Sequence, residues 1–285
     1  MLYLKSFELL DARDEHIILE CDNRMIYNTS YPLNLFPLKQ FKKIDFSNIT
    51  IFYGGNGSGK TTLLNIIAEK IGAKRKNKLD KGNYFKLYVK KCNCNFDNQN
   101  YEDVKMISSD DIFDYLLDIR AINTGVNRKK EKLSKEWLDA KYSNVTQNSL
   151  SDYESLKRSC DAKTKSMSAY VRSRLTNNNI VEQSNGESAL MYWEKEITEN
   201  SIYILDEPEN SLSAENQIKL KQFIEESARF YNCQFIISTH SPFLLGLKYA
   251  HIYDLDSVPV TTKKWTELAN VRVYYDFFKD HENDF

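Results

Sequence analysis

Apolar residues follow two rhythms along this chain. Continuous short runs such as Ile49-Thr50-Ile51-Phe52-Tyr53, Ser201-Ile202-Tyr203-Ile204-Leu205, Phe235-Ile236-Ile237-Ser238 and His251-Ile252-Tyr253 predict strands buried on both faces. Longer stretches with helical spacing alternate with them: Leu63–Ala68, Ala189–Ile197, Ser213–Tyr231, the short Phe243–Leu247 and the closing Trp265–Lys279. Strands alternating with helices predict an α/β fold with a parallel, doubly wound sheet. Residues 1–48 are choppier, with Leu2-Tyr3-Leu4 and Ile17-Ile18-Leu19 between turn residues, and read as a small β-rich subdomain. Tyr84-Phe85-Lys86-Leu87-Tyr88-Val89 reads as a further strand. From Asp110 to about Val181 the pattern is mostly helical, with Ile112, Tyr115, Leu116 and Ile119 on one face. Within it, the Lys-, Asn- and Ser-rich Asn123–Asp152 reads as a loop or mobile hairpin, and no heptad run predicts a long coiled coil. The expected organisation is one domain over 1–285. It divides into a β-rich lobe (1–109), a helical insertion (110–199) and a second α/β lobe (200–285).

Composition narrows the picture little. At 285 residues the chain can bury an ample core, and its net charge of −1 gives no global case for nucleic acid. Residues 70–91 are the exception, with Lys70, Lys74, Arg75, Lys76, Lys78, Lys81, Lys86, Lys90 and Lys91 against the single acid Asp80. That run reads first as a solvated face, and second as a nucleic-acid contact. No apolar run is long enough to span a membrane, and the N-terminus lacks signal-peptide order, so a cytoplasmic protein is expected. The five cysteines (Cys21, Cys92, Cys94, Cys160, Cys233) are odd in number and scattered, and read as reduced.

The sharpest chemical signal is Gly54-Gly55-Asn56-Gly57-Ser58-Gly59-Lys60-Thr61-Thr62, which fits G-x-x-x-x-G-K-[ST] between a strand and a helix. Glycines let successive amides turn inward around phosphate oxygens, and the helix N-terminus adds its positive end. Gly54, Asn56, Gly57, Ser58, Gly59, Lys60, Thr61 and Thr62 are the expected nucleotide-binding residues. Lys60 would reach the β- and γ-phosphates, and Thr61 would ligate Mg²⁺.

Two further strands end in chemistry at the same sheet edge. Asp206 and Glu207 close the run ending in Leu205; Asp206 is placed to hold Mg²⁺ and Glu207 to polarise an attacking water. His240 follows Ser238-Thr239 and reads as a sensor of the γ-phosphate rather than a core histidine. Ser184-Asn185-Gly186-Glu187 opens a helix upstream, in a pattern that alone is a common turn.

Taken in order, these motifs resemble the head domain of ABC-type ATPases. Among them the chain is similar to the soluble bacterial proteins described as AAA ATPases, with Tyr31-Pro32-Leu33 at the entry and the tail helix at the exit. The resemblance runs over nearly the whole chain. It implies ATP and Mg²⁺ as ligands, ATP hydrolysis, and an ATP-dependent head-to-tail homodimer. Ser184, Asn185, Gly186 and Glu187 would then act in trans on the partner's nucleotide, with Ser211-Leu212-Ser213 linking the two sites. The glutamine expected after a core strand is replaced by Met106-Ile107-Ser108-Ser109-Asp110. No adenine-stacking aromatic stands out. In similar proteins such a switch controls a separate effector of antiphage defence. A DNA-repair or chromosome-maintenance ATPase of RecF type is the alternative, and a transporter subunit fits less well. No membrane contact is expected.

Overall fold

The computed structural model describes residues 2–21, 30–77, 83–98, 100–143, 153–175, 185–210 and 212–284. They fall into two compact units. One comprises residues 1–113 with 185–285, the other residues 114–184.

The first unit is built on a six-stranded sheet of order β5-β6-β7-β3-β8-β9. β3 (Ile49–Tyr53), β5 (Asp103–Ser108), β6 (Ser201–Asp206), β7 (Gln234–Ser238) and β8 (His251–Asp254) are parallel, and β9 (Thr261–Thr262) returns antiparallel to β8. Every residue of β3, β6 and β7 is buried, as continuous apolar runs require when both faces of a sheet are covered. Side chains alternate across the sheet. Phe52, Ile202, Ile204 and Ile236 enter one core with Leu63, Leu64, Ile66 and Ile67 of α3 (Lys60–Ile71). α9 (Ala214–Phe230) packs on β7 and on α8 (Asn185–Glu196).

The same core takes in a three-stranded antiparallel sheet of order β2-β1-β4, formed by β1 (Leu4–Glu8), β2 (Lys43–Asp45) and β4 (Asn93–Phe96). Gln234 clips the two sheets together. Its side chain accepts the Tyr3 and Leu4 amides at 3.0 and 2.8 Å and donates to the Leu4 carbonyl at 2.8 Å. A buried amide with partners on both its oxygen and its nitrogen fixes register rather than costing stability.

Four expectations need correction. Ile17-Ile18-Leu19 lies in a helix, α1 (Ala12–Cys21), which buries Ile18 and exposes its two neighbours. Among the described residues, 1–48 therefore hold two strands and also two helices, the second being α2 (Leu35–Leu38). Tyr84–Val89 is part of α4 (Asn83–Lys91), because Phe85, Tyr88 and Val89 are the buried positions and their spacing is helical. The tail begins with a 3-10 turn (Trp265–Glu267) before α10 (Ala269–Asp280).

The fourth correction falls in the second unit. α5 (Ser109–Tyr142), which begins in the first unit, continues through most of the expected loop. Val126, Leu133 and Trp137 are its buried apolar positions there, spaced seven and four residues apart among lysines. α6 (Tyr153–Thr164) and α7 (Met167–Arg174) complete the unit, with Trp137, Ala162 and Tyr170 at its centre. Residues 144–152 of that expected loop lie outside the described residues.

The cysteines whose side chains are described, Cys92, Cys94, Cys160 and Cys233, are free. Burial pushes the Cys92 and Cys233 thiols up to about 12 and about 11, which leaves them unreactive at neutral pH. No described helix is long and apolar enough to cross a membrane.

Candidate nucleotide and hydrolysis site

The loop from Gly54 to Gly59 leaves β3 at its C-terminal end and enters α3 at Lys60. Its glycines are demanded by geometry. A Cβ on Gly54 would stand 2.5 Å from Ser58 Oγ, and Gly59 has φ of 96°, which only glycine adopts freely. Among the described residues Ser58 Oγ is buried without a hydrogen-bond partner, a free donor within the loop. Lys60 is 5% exposed, and its ammonium donates to the carbonyls of Gly54 and Gly55 at 2.7 and 3.1 Å. Asp256, beyond β8, accepts the Gly55 amide at 2.8 Å and braces the loop from behind. The strand-edge rule that drew attention to Glu207 and His240 applies to Asp256 too, and sequence reading passed over it.

The loop opens onto a cavity of about 810 Å³. Asn56, Gly57, Ser58, Gly59, Lys60, Thr61, Thr62 and Glu207 line one side, and residues 30–35 with Leu38 line the other. Tyr31 Oη donates to Thr62 Oγ1 at 3.0 Å, which ties the far wall to the first turn of α3.

β6 delivers the acids. Thr61 Oγ1 donates to Asp206 Oδ1 at 3.2 Å, and Ser238 Oγ donates to the same oxygen. Burial pushes the Asp206 carboxyl up, while those two hydroxyls oppose the shift. A buried carboxylate beside a hydroxyl at this spacing is a hard-oxygen pair that suits a Mg²⁺ ion, whose remaining ligands come from water and phosphate. Glu207 follows with φ of 49°, a left-handed conformation that costs a non-glycine residue about 1–3 kcal/mol. Its amide donates to the Ser238 carbonyl at 3.0 Å, and its carboxylate lies 3.7 Å from Lys60 Nζ and 3.7 Å from His240 Nδ1. Asn210 Nδ2 donates to its other oxygen at 3.2 Å. β3, β6 and β7 thus converge Lys60, Asp206, Glu207 and His240 at one sheet edge.

Glu209 was missed. It is 5% exposed, and its Oε1 accepts the Thr239 hydroxyl at 2.6 Å and the amides of His240 and Ser241 at 3.0 and 3.2 Å. One buried carboxylate oxygen therefore sets the loop that carries His240. The signal was available as a second acid two residues after Glu207. Replacing Glu209 with Leu should leave the Thr239 hydroxyl and the His240 amide without their acceptor and lower unfolding stability by roughly 2–4 kcal/mol, read by urea titration.

Where a glutamine was expected, Ser108 ends β5 in register with Asp206. Its amide and hydroxyl both donate to Asp111 Oδ2, at 2.8 and 2.9 Å, so its side chain is engaged away from the metal pair. Asn185, Gly186 and Glu187 open α8, with Glu187 exposed in the first turn. Ser184 and Ser211 lie outside the described residues. The far end of α8 is pinned to β5. Glu196 lies 3.4 Å from Lys76 and 3.5 Å from Lys105, and Lys76 sits 4.4 Å over the Tyr192 ring. The basic run is therefore divided. Lys74, Arg75 and Lys76 are bound to Asp103, Asn65 and Glu196, while Lys86, Lys90 and Lys91 are exposed on α4.

Residues 187–245 match the family model described as AAA ATPase domain. Among curated proteins none matches. Solved structures that resemble the chain include the SMC head domain from Thermotoga maritima. It is 14% identical with a TM-score of 0.42, over 92% of this chain and 98% of that one. An Smc head from Pyrococcus furiosus, bound to the C-terminal domain of ScpA, is 14% identical with a TM-score of 0.41, over 99% and 100%. A metal-chelate-type ABC transporter is 14% identical with a TM-score of 0.39, over 97% and 90%. By its own strand order and loop, the chain has a phosphate-loop α/β fold with an added antiparallel β-sheet and an inserted helical unit.

Proposed function

We propose that this chain binds Mg²⁺·ATP and hydrolyses it. The observation that carries the reading is the meeting of Lys60, Asp206, Glu207 and His240 at the mouth of one glycine loop. The loop amides and Lys60 would hold the β- and γ-phosphates, with Thr61 and Asp206 on the cation. Mg²⁺ would neutralise phosphate charge when bound. Glu207 would then accept the proton of the attacking water, and His240 would donate to the γ-phosphate. Mg²⁺-dependent phosphate release from ATP by the purified chain tests this; its absence in protein that still binds ATP would remove the hydrolytic half.

ATP is further proposed to close two copies head to tail, with Ser184, Asn185, Gly186 and Glu187 reaching the partner's γ-phosphate. Support comes from the position of this segment at the N-terminus of α8, where backbone amides suit an anion. With ATP, the Glu207→Gln protein should sediment as a dimer, and Gly186→Trp should return it to monomer without loss of ATP binding. Dimers indifferent to ATP or to that substitution would oppose the model.

The output is proposed to be control of a separate effector protein, as in antiphage modules, with residues 114–184 as the contact. That segment links the strand bearing Ser108 to the signature and would move with it. Co-purification with a protein encoded beside it, lost on replacing exposed Leu117, Ile122 and Leu138 by Glu, is the test. The exposed lysines of α4 favour a second reading, a DNA-maintenance ATPase, which would show salt-dependent duplex binding lost in Lys86/Lys90/Lys91→Glu protein.

A further inference from the structure

A carboxylate far from the hydrolytic cluster has no evident reason to be where it is. Glu15, on α1, is 1% exposed. Among the described residues no ion pair holds it, and its Oε1 is buried without a hydrogen-bond partner. Its neighbours are themselves poor charge carriers. Tyr88 and Cys92, both largely buried, lie close enough to feel its charge, and Asp11 adds like charge. Burying an acid in such company is costly unless the acid does something there.

Its one strong contact identifies the task. Glu15 Oε2 accepts the backbone amide of Asn34 at 2.5 Å. Asn34 precedes α2 in a left-handed conformation, φ 66°, and its own side chain caps nothing. This is the turn at which the chain reverses to form the wall opposite the glycine loop. On one side of Asn34 stands Tyr31, bonded to Thr62. On the other stands Leu35, whose Cδ2 lies 3.0 Å from where a Cβ on Gly59 would be, and then Leu38, 75% exposed at the cavity edge. The wall meets α3 through Tyr31 and the phosphate loop through Leu35, and is held from inside between them.

We infer that Glu15 is a positioning residue for the nucleotide, setting through the Asn34 amide the wall against which the base and ribose lie. This rests on the reading of the cavity as a nucleotide site. Phosphates occupy the loop amides, so the remainder of the nucleotide extends to residues 30–38, the other described lining of the cavity. Burial pushes the Glu15 carboxyl up, so a neutral amide oxygen is an adequate substitute acceptor at this point.

The test compares two probes, ATP and inorganic tripolyphosphate, each titrated with Mg²⁺ into the full chain. Glu15→Met removes the acceptor at similar volume; ATP affinity should fall about tenfold while tripolyphosphate affinity stays within about twofold. Glu15→Gln should keep ATP affinity within about threefold of wild type. A loss shared equally by both probes, or no loss in the Met variant, overturns the inference while leaving the nucleotide reading intact. Wild-type protein that binds neither probe overturns both. Should Glu15→Met fail to fold, hydrogen exchange in the wild type decides. The Asn34 amide should be protected although Asn34 is exposed, and rapid exchange there overturns the inference.

Discussion

Lys60→Ala should bind ATP at least a hundredfold more weakly than wild type by calorimetric titration, a loss of about 2.7 kcal/mol or more. Lys60 is nearly buried and already spends its protons on the Gly54 and Gly55 carbonyls. It therefore has two roles. It supplies a fixed positive charge beside the β- and γ-phosphates, and it ties together the two ends of the loop that surrounds them. Alanine removes both and leaves two carbonyl oxygens directed at an anion. It also leaves Glu207 without the cation 3.7 Å away, so like charge rises where phosphate must enter. The fold should survive, because α3 is held by Leu63, Leu64, Ile66 and Ile67 in the core and alanine suits a first helical turn. Unchanged affinity in a folded variant would mean that phosphate does not lie at this loop.

The parts of this molecule that were legible in the sequence share a physical cause. β3, β6 and β7 are buried on both faces, so their apolar runs are continuous and admit one reading. Lys60, Asp206, Glu207 and His240 sit at strand ends, where position along the chain translates directly into position in the sheet. What was not legible depends on contacts distant in sequence. Tyr84–Val89 has strand-like residue types, and only the core formed with α1 and α3 decides that Phe85, Tyr88 and Val89 face one way. The continuation of α5 rests on Val126, Leu133 and Trp137, too sparse among lysines to announce a helix without α6 and α7 beneath them. Glu209 and Glu15 look like ordinary surface acids in the sequence. Their importance lies in the amides they accept, from His240 and Ser241 in one case and Asn34 in the other, 19 or more residues away.

Glu207→Gln should separate binding from turnover. The amide keeps the volume and the left-handed backbone of Glu207, whose amide stays on the Ser238 carbonyl. Asp206, Thr61 and Ser238 are untouched, so the metal pair is intact. ATP should bind as well as to wild type or better, since one negative charge near the γ-phosphate is gone. Hydrolysis should fall by about 10²–10⁴-fold, because a neutral amide cannot take a proton from water. Single-turnover phosphate release is the measurement, with binding followed in parallel. His240→Ala provides the contrast. His240 is half exposed and 3.7 Å from Glu207, so its loss should slow turnover less and leave the binding of ADP, which has no γ-phosphate, unchanged. Should Glu207→Gln turn over near the wild-type rate while His240→Ala abolishes it, the base is the imidazole. Glu207 would then be a carboxylate that helps orient it, since Nδ1 of His240 lies 3.7 Å from both Glu207 and Glu209.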